Sequence, residues 1–270
     1  MNAAWRALLE ELAQWQDSGR TVDFWWRDDD AGKPAPALAR LIGLAQAEQL
    51  PLALAVVAQE YDAAILPPES SQVTLLQHGV DHHNRGGAGG KKTEFPAAEP
   101  VAAALARLRD GYTRIESQSP GHLLPVLVPP WNRITSPDLL PALPGAGYRG
   151  LSRFGPRNPE QSHSGLCEIN THVDIIDWRG NRGFAGEDVV LASAVKHLQA
   201  RRMGLVDPGE PTGWLTHHAV HDAPAWDFLS RLFERTRLPG VRWVRPDFSG
   251  RPIFYTASGR LRPATPEATR

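Results

Sequence analysis

Ten histidines are spread along the chain, and two of them, His78 and His82, stand four residues apart at the end of an apolar run that begins at Thr74. Imidazoles at i and i+4 share one face of a helix and can grip a single metal ion. The same spacing also fits two solvated histidines beside a flexible loop. Gly79, directly after His78, suits a sharp exit from a strand, with the histidine presented at the mouth of a fold. Four more polar clusters follow apolar runs: Asp28-Asp29-Asp30, Pro129-Pro130-Trp131-Asn132, Asp174 with Asp177 and Trp178, and His217-His218. One carboxylate and two histidines form a standard catalytic set for zinc or another divalent ion, leaving a position for water. A further carboxylate can take a proton from that water, and a further histidine can protonate a leaving group. The chain therefore holds the parts for metal-assisted hydrolysis of an amide or ester. Singly, each cluster has a plainer explanation. Aspartates before a helix cap it and complement its dipole, Pro-Pro is a rigid turn, and strand-end histidines are more often structural.

Elements of alternating type must position these clusters. Residues 3–16 read as a helix, with Trp5, Leu8, Leu12 and Trp15 at helical spacing. Val22 to Arg27 reads as a strand ending in the aspartates, and Pro34 and Pro36 open a helix from Ala37 to Glu48. Leu52 to Val57 and Val73 to Gln77 are nearly all apolar, as strands covered on both faces are. Helices follow at Glu99–Ser117, Pro137–Leu143, Glu187–Arg201 and Asp222–Thr236. Strands are expected at Leu123–Val128, from Gly150, at Ile169–Trp178 and at Gly213–Thr216. The strand–helix rhythm favours a mostly parallel sheet with crossover helices. Active sites of such folds lie at the carboxyl ends of the strands, where all five clusters fall. The glycine-rich stretch 86–90 is either a lid or a plain surface loop, 155–165 is a loop, and a loosely held tail starts near Gly259.

A chain of 270 residues with no composition shift reads as one domain, 1–270, with its core at about 22–221. A net charge of −1 carries no nucleic-acid footprint. The single cysteine, Cys167, excludes an internal disulfide framework and suits a reducing compartment. No apolar stretch is long enough to span a bilayer, and the start lacks the apolar core of a signal peptide, so a cytoplasmic location is expected. Nine tryptophans include Trp25, Trp26, Trp131, Trp178 and Trp214 beside polar clusters. Indole faces stack on sugars, although for any one of these core packing is the commoner use.

In their order and spacing the clusters resemble the polysaccharide deacetylases, the NodB-homology or carbohydrate esterase family 4 group. The matching segments are Asp29-Asp30, His78-Gly79-Val80-Asp81-His82, Pro129-Pro130-Trp131-Asn132, Asp174-Ile175-Ile176-Asp177-Trp178 and Leu215-Thr216-His217, within residues 22–221. The resemblance implies a distorted (β/α) barrel of about seven parallel strands. It implies a divalent ion, foremost zinc with cobalt, nickel, manganese or iron as alternatives, held by Asp30, His78 and His82. Asp29 would then be the general base, His217 the general acid and Asp174 its support, with Trp131, Asn132, Trp178 and His218 as candidate substrate contacts. The implied reaction removes an acyl group, foremost acetyl, from an N-acylated sugar or glycan. Two other readings stay open: hydrolysis of a non-sugar amide or imide, and an inactive glycan-binding module. The aspartate run also permits Asp28-Asp29 as the pair, although the small Ala31 favours Asp29-Asp30, and the leucine-x-histidine pattern selects His217 over His218. One departure is plain. The arginine that the third segment carries two residues before its proline is missing, with Leu127 and Val128 there, which leaves Arg27, Arg133 and Arg179 as substitutes.

Overall fold

A computed structural model describes residues 2–67, 71–158 and 165–248. Residues 159–164 of the expected loop and the tail expected from Gly259 lie outside the described residues. The elements run α1 (Ala3–Asp17), β1 (Val22–Ala31), α2 (Pro36–Glu48), β2 (Leu52–Val56), β3 (Val73–His78), α3 (Val101–Gln118), β4 (Leu123–Val128), α4 (Leu139–Ala142) and β5 (Gly150–Leu151). They continue with β6 (Cys167–Glu168), β7 (Val173–Asp174), α5 (Glu187–Arg202), β8 (Thr212–Thr216), α6 (Ala223–Arg235) and β9 (Val241–Trp243).

The strands pair in the order β6-β5-β4-β3-β2-β1-β8-β7, with β9 against the start of β1. Every ladder is parallel. The curled sheet with helices outside it is the distorted barrel expected, with nine strands among the described residues instead of about seven. The ten-residue β1 is the axis of the sheet, bordered by β2 on one side and β8 on the other. Its side chains alternate. Trp25 packs inside the curl with Ala53, Ala55, Leu76 and Val126, while Phe24 and Trp26 join the outer core under the helices. Helix α1 lays Trp5, Leu8, Leu12 and Trp15 on that outer core, and the Asn2 side chain caps its start by accepting from Trp5 N at 3.0 Å.

Trp25, Trp26 and Trp214 are buried core residues rather than sugar platforms. Each polar handle that is satisfied meets the scaffold: Trp25 Nε1 donates to Asn170 O at 2.9 Å and Trp26 Nε1 to Thr216 Oγ1 at 2.9 Å. A tryptophan that buries roughly 200 Å² contributes about 5 kcal/mol of gross transfer free energy at about 25 cal/mol per Å².

The single strand expected over Ile169–Trp178 is instead the short β7, which follows the equally short β6. Side chains compete with the ladder here. Asn170 Oδ1 accepts from Arg153 N and His172 Nδ1 from Gly213 N, while Asp174 and Asp177 take the N–H groups of Ile176, Arg179 and Gly180. The glycine-rich stretch 86–90 is pinned at its base. Asn84 Oδ1 accepts from both Gly86 N and Thr93 N, at 3.0 and 3.1 Å. No helix among the described residues is long and apolar enough to cross a membrane.

Candidate metal centre and its surroundings

His78 is the last residue of β3 and is buried. Its Nδ1 lies 3.0 Å from the carbonyl of Val128. A carbonyl only accepts, so Nδ1 donates to it, leaving Nε2 as the ring atom that would ligate a metal. That Nε2 is 3.1 Å from Asp30 Oδ1, and His82 Nε2 is 3.3 Å from the same oxygen. These two separations match the edges of a tetrahedral site with bonds of about 2.0–2.1 Å, and all three donor atoms lie within 4.8 Å of one another. The donor set fits zinc or a similar divalent ion.

The two histidines do not lie on a helix, as the spacing suggested. They sit on a tight turn with Gly79 at φ 58° and His82 at φ 53°. Glu94 staples that turn: Oε1 accepts from Val80 N at 2.9 Å and Oε2 from His82 N at 3.2 Å. A Cβ on Gly79 would strike Glu94 Oε2 and come within 2.7 Å of Pro130, so the turn requires glycine twice over. Burial, and then Asp81, push the Glu94 carboxyl up, against the pull of the Val80 N–H and Arg107. Sequence reasoning missed Glu94, because nothing in its spacing from His82 marks it.

Asp30 breaks the alternation of β1. It lies at φ 66°, where the register against β2 shifts between Asp28 and Ala31. An aspartate tolerates this left-handed conformation better than most residues, and a bulge re-aims a side chain. Neighbouring Asp29 and Asp30 therefore both reach the mouth of the barrel. Burial pushes the Asp30 carboxyl up, but the His78 hydrogen bond and the nearby imidazoles hold it well below the usual range.

Asp29 is buried, and the fork of the equally buried Arg27 meets it bidentately: Nε to Oδ1 at 2.8 Å and NH2 to Oδ2 at 2.9 Å. Arg27 also donates to Ser152 Oγ at 2.7 Å and Asn132 Oδ1 at 2.8 Å. Of the three candidate arginines, Arg27 meets Asp29, from two residues away on the same strand face. Asn132, expected as a substrate contact, accepts from Arg27 through its Oδ1. Trp131 and Asn132 at φ 55° and 53° turn it inward. Ser152 was not foreseen.

On the opposite flank, Trp178 Nε1 donates to Asp174 Oδ2 at 2.8 Å and Ile176 N to Asp174 Oδ1 at 3.0 Å. The Trp178 ring meets His217 edge to face at 4.6 Å between centroids. His217 Nδ1 is buried with no hydrogen-bond partner among the described residues. Burial pushes the Asp174 carboxyl up, opposed first by His217. Asp174 thus faces His217 electrostatically while its hydrogen bonds hold Trp178. Trp131 lies 4.4 Å from the His82 ring, so Trp131 and Trp178 stand on either side of the polar centre. Trp178 is 39% exposed, with the Arg182 guanidinium 5.5 Å from its ring centroid. His218, another expected substrate contact, is instead buried, with Nδ1 2.5 Å from Asp28 Oδ1. That bond also removes Asp28 from the candidate pair.

A second cluster, His172, His197 and Glu210, brings three donor atoms within 4.8 Å of one another. It does not fit a cation. His172 Nδ1 accepts from Gly213 N at 3.0 Å, so Nε2, the atom facing Glu210 at 3.3 Å, must carry the proton of the neutral ring. The two rings are stacked, with centroids 3.6 Å and planes 15° apart, so their in-plane lone pairs run alongside one another instead of converging.

No protein-family model matches the chain, and neither does any curated protein sequence. Solved structures do match in fold. A family 4 carbohydrate esterase from Streptomyces lividans, in complex with acetate, aligns over 90% of this chain and 97% of its own, at 14% identity and a TM-score of 0.54. The polysaccharide deacetylase Bc1974 from Bacillus cereus aligns over 86% of this chain and 95% of its own, at 11% identity and a TM-score of 0.51.

Proposed function

We propose that this chain, built on the fold of the family 4 carbohydrate esterases and polysaccharide deacetylases, is a divalent-metal hydrolase that removes an acyl group, foremost acetyl, from the nitrogen of an N-acylated sugar or glycan. The observation that carries the reading is the convergence of Asp30, His78 and His82 beside an arginine-held carboxylate at the carboxyl ends of the strands. Asp30 and the two Nε2 atoms would hold the ion, zinc by its donor chemistry. When bound, it supplies Lewis-acid activation of water and of the acyl carbonyl.

The rest falls to the protein. Asp29, locked by Arg27, accepts the proton that the attacking water gives up. His217 donates a proton to the departing amine. Asp174 lies beside this imidazole and holds Trp178 against its ring. The indoles of Trp131 and Trp178 offer a sugar ring two apolar faces, one beside His82 and one beside His217. An inactive binding module would have no use for a complete ligand set beside a paired carboxylate.

The test combines metal analysis with acetate release from N-acetylated sugars by the zinc-loaded protein. Asp29→Asn is expected to keep the metal and lower kcat by about 10²–10⁴-fold, the usual worth of a positioned base. An Asp29→Asn protein as active as the parent would remove Asp29 from the reaction. A zinc-loaded parent that releases no acyl group from any N-acylated sugar would refute the function.

A further inference from the structure

The aspartate run and the histidine pair are each longer than the proposed chemistry uses. Asp29 and His217 face the barrel mouth, while their neighbours Asp28 and His218 face each other. Alternation along β1 places Asp28 on the same face as Trp26, under the helices. There its carboxylate, fully buried, accepts three hydrogen bonds: Thr216 Oγ1 at 2.7 Å, His218 N at 2.9 Å and His218 Nδ1 at 2.5 Å. Trp26 Nε1 completes the set by donating to Thr216 Oγ1. His218 N is the first N–H of the single turn His218–Val220 that follows β8, and His217, at the cap position, offers that turn no side chain. Asp28 supplies the missing cap from another strand.

The geometry leads us to propose that Asp28 is a positioning residue. Through His218 and Thr216 it clamps the turn after β8 and so fixes His217 opposite Asp29. This rests on the deacylase reading. One residue before the base, the chain ties itself to one residue after the acid. The strand carrying the proton acceptor and the strand carrying the proton donor are joined at the point where their spacing matters. His217 has no hydrogen bond of its own from Nδ1, so the backbone and the Trp178 ring are what hold it. A 1 Å error in such placement can cost about 10²-fold in rate.

The test uses the full-length zinc-loaded protein with an N-acetylated sugar. Asp28→Asn is expected to lower kcat about 10–100-fold, with KM and zinc content unchanged. In a His217→Asn background the same substitution is expected to add no further loss, because Asp28 acts through His217. His218→Gln is expected to reproduce the effect, and Thr216→Val serves if Asp28→Asn does not fold. A readout free of turnover is the imidazole Cε1–Hε1 NMR resonance of His217, assigned by its loss in His217→Asn. It is expected to move in Asp28→Asn while those of His78 and His82 stay. An Asp28→Asn loss that multiplies with His217→Asn, or that follows loss of zinc, overturns the proposal, and so does an unmoved His217 resonance. A parent protein with no deacylase turnover defeats the function instead, and the His217 resonance then decides the clamp alone.

Discussion

Arg27→Met tests the base arrangement at its foundation. Arg27 is fully buried, and its guanidinium makes two bonds to Asp29 and one each to Ser152, Asn132 and the Arg153 carbonyl. Methionine keeps much of the volume and removes every donor, leaving the Asp29 carboxylate buried and unpaired. Removing one partner of a buried pair costs about 3–5 kcal/mol. At about 2–4 °C per kcal/mol for a protein near this size, the melting temperature is expected to fall by about 6–20 °C. Adding Asp29→Leu removes the stranded charge, and replacing a buried pair by apolar residues is often neutral or better. The double variant is therefore expected to melt close to the parent and to lack activity. Arg27→Lys separates charge from shape. A single ammonium cannot fork across both oxygens, so one charge-assisted bond, worth about 1.5–3 kcal/mol, is lost and the carboxylate is free to turn. Calorimetry and acetate release on the same four proteins decide the matter. An Arg27→Met protein that melts within about 2 °C of the parent, below the shift of a single kcal/mol, and retains its kcat would refute the assignment of Arg27.

Acid stability and metal count give further checks. Burial foremost holds His172 down to about 3 and His197 to about 2. Both lie below the 6.5 of the unfolded chain, so the unfolded state binds more protons and stability is lost as pH falls below about 6.5, at about 1.4 kcal/mol per pH unit for each ring. His197→Gln is expected to flatten the fall by one proton, about 2 kcal/mol less lost between pH 6.5 and pH 5. Parallel stability curves for the two proteins in denaturant would refute this. Glu210, pushed up to about 7 by burial, works in the opposite direction but is common to both and cancels in the comparison. Mass spectrometry of the native protein is expected to find one divalent ion per chain, lost in Asp30→Ala, His78→Ala and His82→Ala and kept in His197→Gln. A second ion lost in His197→Gln would overturn the tautomer argument at His172.

Much of this was legible in the sequence where the signal was periodic. The apolar runs gave β2, β3 and β4, and the helical spacing of Trp5, Leu8, Leu12 and Trp15 gave α1. The residues of the candidate metal triad were readable because they follow recognisable apolar runs. The way His78 and His82 come together was not. It depends on the positive φ of Gly79 and His82 and on the remote carboxylate of Glu94, and a turn stapled by a residue 12 positions away leaves no spacing rule. The contacts of Asn132 and His218 were hidden for a similar reason. Both are polar and beside the centre, and only the three-dimensional path shows that Arg27 and Asp28 already claim them.

The two-residue separation of Arg27 and Asp29 has a consequence for how this scaffold can change. When an arginine on another strand aims the base, two distant segments must vary in concert. Here the proposed base and the arginine that aims it are carried by one strand, and to that pair the loop after β4 contributes the Asn132 contact. Within that loop Trp131 touches His82 but not Arg27 or Asp29, so its side chain can vary without breaking the bonds that hold the carboxylate. Substrate preference can then drift while the Arg27–Asp29 pair is inherited intact. The same economy makes β1 intolerant of slippage. A one-residue shift would turn Arg27 and Asp29 out of the barrel together and bring Trp26 and Asp28 in, so an insertion or deletion in this strand is expected to abolish the chemistry in a single step.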